Sequence, residues 1–152
     1  MAVEVETGRF TVGVFQDIAW AEKGIDALRK QGLAVESLSI IAKASPEIAA
    51  LIERQLGEPQ SFEVRDLGPA MARGPLVAAL QGSDQGLAKA GIAGTMRRVG
   101  FQPHDGRIFH VLTDRGGVLV AIHSEPRAAD ALAVLHSYGG GNAAIGAWTG
   151  RV

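Results

Sequence analysis

Residues 11–43 read TVGVFQD, then IAWAEKGIDALRKQG, then LAVESLSIIAK, and this succession restricts the possible folds more than any other stretch. Val12, Val14 and Phe15 form a short β-prone run ending at Asp17, whose carboxylate suits the unpaired N–H groups of a following helical turn. Ala21, Ile25 and Leu28 then recur at helical spacing and make one apolar stripe, with Arg29 and Lys30 where the helix dipole favours positive charge. Gly32 suits the left-handed position that ends a helix. Over 35–42 the chain turns β-prone again, with Leu38, Ile40 and Ile41 nearly continuous. This is the pattern of a βαβ unit, whose crossover is right-handed almost without exception.

A fainter copy lies over 118–148. It aligns Val14 with Ala121, Ala21 with Ala128, Ile25 with Leu132, Leu28 with Leu135, Gly32 with Gly139 and Leu38 with Ile145. Ser124 is the candidate N-cap of the second helix, and Pro126 falls in its first turn, where a missing N–H costs nothing. Two such units with interleaved strands make a four-stranded antiparallel sheet with both helices on one face, the ferredoxin-like arrangement. The fold expected is therefore α+β and a single domain over 1–152, with βαβ units at 9–43 and 117–148 and an inserted middle at 44–116.

In the middle, Ser45 and Pro46 start a helix carrying Ile48, Leu51, Ile52 and Leu56, and Gly57 ends it. Residues 60–67 alternate Phe62 and Val64 with polar neighbours, as a half-exposed edge strand does. Two Gly-Pro pairs divide 68–86 into an extended piece near Met71 to Arg73 and a short helix near Leu76 to Leu80. A helix over 86–99 then exposes small residues, among them Gly91 and Gly94, and is the expected self-association surface. Pro103 opens a last helix, with Ile108, Val111 and Leu112 as its expected buried side.

Taken together, the VFQD strand end, the early Ala21-Glu22 pair, the Gly-Pro-Leu with Ala78 and Ala79, and the Gly116-Gly117 step into VLVAI resemble the bacterial general stress protein 17M-like family. The resemblance implies two βαβ-like halves around a glycine-rich hydrophobic middle, and no established reaction, cofactor or catalytic residue. That middle is often a long glycine zipper, whereas 58–73 here is charged and strand-like.

Chemistry has few candidates. Lys plus Arg number 15 against 16 for Asp plus Glu, without the basic excess that nonspecific nucleic-acid binding uses. With no cysteine there is no disulfide, thiol nucleophile or thiolate ligand. Of the four histidines, His104 and His110 are six apart and diverge on a helix, and His136 has no carboxylate ligand near it in sequence. No metal or cofactor is expected. His104 with Asp105 and Asp114 lacks a nucleophile turn, and neither a G-x-G-x-x-G nor a phosphate-binding G-x-x-x-x-G-K-[ST] motif is present. Gly139 to Gly141 follow a helix, whereas anions prefer helix N-termini. His123, Ser124 and Asp17 are the candidate ligand-binding residues, His123 foremost because ligands approach strand ends near a helix N-terminus.

Trp20 lies off the apolar stripe of its helix and is expected to widen the core face, with an interface as its other use. Trp148 needs a strand edge or a neighbour to pack on. The N-terminus has no apolar signal segment and 131–150 is interrupted by polar residues and glycines, so a cytoplasmic protein without a membrane span is expected. The function favoured is a non-catalytic, self-associating stress-type protein, with Gly91, Gly94, Trp20 and Trp148 as interface residues. A small-ligand-binding regulatory module with a site at a subunit junction is second, and a metal-binding protein or enzyme using the histidines is third.

Overall fold

A computed structural model describes residues 10–123, 128–138 and 144–145. The first βαβ unit comprises β1 (Phe10–Phe15), α1 (Ile18–Lys30) and β2 (Leu38–Lys43). Asp17 caps α1 as its sequence position suggests, accepting from Trp20 N–H at 2.9 Å, and Gly32 takes a positive φ of 87° just past the helix end. The second unit contributes β5 (Val118–His123), α6 (Ala128–Ser137) and β6 (Ala144–Ile145). Between them lie α2 (Pro46–Gln55), β3 (Gln60–Val64), β4 (Gly68–Arg73), α3 (Pro75–Gln81), α4 (Gly86–Thr95) and α5 (Pro103–Asp114).

The strands form one antiparallel sheet in the order β3-β4-β2-β5-β1-β6. β5 is antiparallel to both β1 and β2, so β1 and β2 run parallel to each other on either side of it, as strands joined by a crossover helix must. The strands of the two aligned sequence units thus interleave. β3 stands at an edge, as its alternating pattern suggests, and the β3–β4 hairpin extends the sheet beyond the four strands that two βαβ units supply.

Both faces of the sheet are covered. Residues Val118 to Ile122 of β5 are all buried, with Val118, Val120 and Ile122 in one apolar cluster and Leu119 and Ala121 in the other. The first cluster receives Ala21, Ile25 and Leu28 of α1, Ile48, Leu51 and Ile52 of α2, and Val134 and Leu135 of α6. The second receives Leu76, Val77 and Leu80 of α3, Leu87 and Ile92 of α4, and Phe109 of α5. The helices of the two βαβ units share a face, as their pattern suggests, with α1 and α6 in the same cluster. Of the inserted helices, α2 joins that face and α3, α4 and α5 cover the other, because the inner strands carry apolar side chains on both sides and neither set tolerates water.

A polar clamp joins α1 to α2 on the first face. Arg54 donates to both carboxylate oxygens of Glu22 at 2.9 and 3.0 Å, and Gln55 accepts from Arg29 while donating to Glu22 and Asp26. Gln55 is buried, and these partners satisfy both ends of its amide.

Two helices differ from expectation. The segment 86–99 is not one helix: Gly91 breaks it with φ 77° and ψ −178°, and a separate helical turn follows at Met96–Val99. The β3–β4 turn lies against this point, and a Cβ at Gly91 would stand 2.7 Å from the carbonyl oxygen of Arg65. In α5 the buried residues are Gly106, Phe109 and Thr113, while Val111 is 40% exposed. Phe109 packs edge-on against Phe101 at 5.3 Å, and Gly106 lets α5 approach the backbone of Ala93, so the buried stripe is rotated from the aliphatic one.

The passage of the chain to the second face occurs at Gly74, φ 121°. A Cβ here would overlap the carbonyl oxygen of Leu38 and the hydroxyl of Ser39. Ser39, fully buried on β2, accepts from Leu76 N–H at 2.9 Å and so satisfies the start of α3. Gly74→Ala should destabilise the fold by about 2–4 kcal/mol through this overlap and the strained backbone, read as a lowered urea midpoint with unchanged slope.

Candidate functional site

Antiparallel pairing of β1 with β5 sets Phe10 directly opposite His123 at one end of the sheet. Their rings stack, with centroids 4.6 Å apart and planes at 16°. Beyond this pair the chain turns through Gly74 into α3, and Pro75, Ala78 and Ala79 line the opposite wall. The turn Met96–Val99 closes the cleft with Arg98 and Val99. The cleft has a volume of ≈ 360 Å³, within the size range of small-molecule sites, and its lining is apolar apart from Arg98 and His123.

Arg98 is held in place. Its Nη1 donates to Leu80 O and to Asp84 Oδ1, each at 3.0 Å, and its Nη2 donates to Asp84 Oδ2 at 2.8 Å. This two-pronged pairing matches a guanidinium to a carboxylate in plane. Hydrogen bonding from Arg98 lowers the Asp84 carboxyl from 3.8 to about 2.

A second hollow, of ≈ 820 Å³, opens on the other flank of α3. Glu36, Phe62, Arg73, Val77 and Gln81 line it, and Ala78 borders both spaces. Arg73 is engaged here too, donating to the carbonyl oxygens of Leu56 and Glu58 at 3.0 and 2.8 Å, and Gln81 accepts from Ala88 N–H at 3.0 Å.

The sequence candidates are scattered across the fold. His123 is in the cleft. Asp17 lies past the opposite end of β1 and caps α1, so the two do not share a site. Ser124 and Trp148 lie outside the described residues. Gly91 is buried against Arg65 rather than presented to a partner, whereas Gly94 is exposed beside Ala90. Trp20 is 38% exposed and stands under the Lys23 ammonium, 4.7 Å from its ring centre, so it does not widen the core. The reason is angular: Ala21, Ile25 and Leu28 already face the sheet, and Trp20 turns away from them.

His104 is exposed on α5, and His110 stands near Asp114, whose carboxyl is held below its ordinary value chiefly by Lys43 at 2.9 Å. Among the described residues no three histidines or carboxylates gather in a way that could hold a metal ion, and no helix is long and apolar enough to cross a membrane.

Phe10, Arg98 and the α3 residues were not legible as cleft residues. Phe10 reaches His123 only through strand register, and Arg98 reads in sequence as a charge closing a helix. The Gly-Pro step at Gly74-Pro75 was the one local signal, since it marks where the chain turns beside the sheet end.

Because the folded-state value of Asp84 is depressed, the pair stabilises the fold above the unfolded carboxyl range, and this is lost as pH falls through the folded value. The protein should therefore melt above its Asp84→Asn variant at neutral pH, and the gap should close between about pH 4 and about pH 2. Thermal melts across that range check this; a gap insensitive to pH would mean that the carboxylate charge is not its source. No family model, no curated protein and no solved structure matches the chain, so the cleft itself carries the functional reading.

Proposed function

We propose that this chain is a non-catalytic small-ligand-binding protein whose site is the cleft between Phe10, His123, α3 and the Met96–Val99 turn. The observation that carries this is the Phe10–His123 stack at the border of a largely apolar space of ≈ 360 Å³ whose described lining has Arg98 and His123 as its polar groups. A structural role alone does not call for a polar ring there, since an aliphatic pair would close the sheet end equally well.

We also read the inner strands β2-β5-β1-β6 as a ferredoxin-like core. Supporting this are the antiparallel placement of β5 between β1 and β2, the pairing of β6 with β1, and the common face of α1 and α6. The β3–β4 hairpin and the inserted helices are then additions, and the cleft lies where the added α3 meets the end of that core.

The test is a ligand screen followed by amide chemical shifts. A binder should move the resonances of Phe10, Ala78, Val99 and His123 together, and His123→Ala should weaken it about tenfold through loss of the aromatic contact. Binders whose shifts map elsewhere, or whose affinity ignores His123, would overturn the assignment.

Self-association of the kind the general stress protein 17M-like resemblance suggests is the second reading, favoured by the exposure of Trp20 on α1. Native mass spectrometry should then show an oligomer that Trp20→Ala dissociates. A monomer at micromolar concentration would remove this reading and leave the first intact.

A further inference from the structure

The charge facing the cleft is balanced from within the chain. Arg98 is the only Lys or Arg among its described lining residues, and both terminal nitrogens of its guanidinium are engaged with Asp84 and Leu80. A ligand carboxylate would seek the same two-pronged face of the guanidinium that Asp84 already occupies. The surrounding backbone is shaped to this pair: a Cβ at Gly86 would stand 2.5 Å from Arg98 Nη1, and one at Gly82 would stand 3.0 Å from it. The Asp84 carboxyl, lowered to about 2, stays ionised at neutral pH. An incoming anion therefore meets a neutralised cation and a carboxylate that repels it.

What remains on offer is aromatic and mostly apolar. The stacked rings of Phe10 and His123 form one wall, Pro75, Ala78, Ala79 and Val99 the others, and the imidazole supplies a hydrogen bond. Resting on the reading of this cleft as a ligand site, we infer that its ligand is a neutral planar ring compound bearing a hydrogen-bonding group, and that Asp84 is the built-in counter-ion that sets the preference against anions.

Benzamide and benzoate, alike in shape and different in charge, test the inference on the full chain by ligand-observed and amide NMR. Benzamide should bind about tenfold more tightly than benzoate and shift Phe10 and His123. Asp84→Asn, a change at an exposed carboxylate, should raise benzoate affinity about tenfold and leave benzamide nearly unchanged, because the charge of Arg98 is then uncompensated. If benzoate binds the native protein as well as benzamide while shifting His123, the ligand class is wrong and the site stands. An Asp84→Asn variant with an unaltered preference would overturn the ligand class in the same way. If neither compound, up to millimolar concentration, shifts Phe10 or His123 in either protein, the cleft is not a site for small rings and both readings fall.

Discussion

The inner strands are apolar on both sides, and the layering of the whole fold answers to that. β5 lies between β1 and β2, and every residue from Val118 to Ile122 is buried, with successive side chains entering different clusters. A strand of this kind cannot sit in a two-layer fold without exposing one face to water. α1 and α6 pack in the same cluster on one face, so they cannot serve the other. The long middle of the chain fills that need: α3, α4 and α5 form the layer that the two βαβ units cannot provide.

The way the chain reaches the second face explains where its cleft lies. At the end of β4 the backbone bends sharply at Gly74, against Leu38 and Ser39, and the buried hydroxyl of Ser39 receives the first free N–H of α3. A short helix fixed so close to the strand ends leaves its outer small residues, Ala78 and Ala79, facing open space. The hollows on either flank of α3 follow from this junction. Two of the hollows among the described residues, the proposed cleft included, thus lie where the added layer joins the sheet end, and another lies between α1 and α6.

Ion pairs join several elements. Glu22 and Arg54 tie α1 to α2, Lys43 and Asp114 tie β2 to α5, and Asp84 and Arg98 close the α3–α4 loop over the Met96–Val99 turn. These pairs are partly exposed, and such contacts individually contribute little. Their consequence is local: they fix which charges are left to act on anything that enters the cleft, and the one cation among its described lining residues is already partnered.

Much of the local structure was legible in the amino-acid sequence because its causes are local. Asp17 and Ser45 as caps, the 21-25-28 stripe of α1, the edge character of β3 and the end of α1 at Gly32 all follow from interactions within a few residues. The pairing of the two βαβ patterns was legible too, since repeated periodicity survives in a single chain. The break at Gly91 was not, because its left-handed conformation answers to the carbonyl of Arg65, a contact across the fold. The buried face of α5 escaped for a like reason, being set by Phe101 and by the approach of Ala93 rather than by the count of aliphatic residues. Periodicity and capping alone thus settled most of the elements, the break at Gly91 and the buried face of α5 excepted. That Phe10 meets His123, and that Arg98 closes the cleft with its charge answered by Asp84, was settled by the folded chain, because strand register and helix placement bring together residues that no local rule connects.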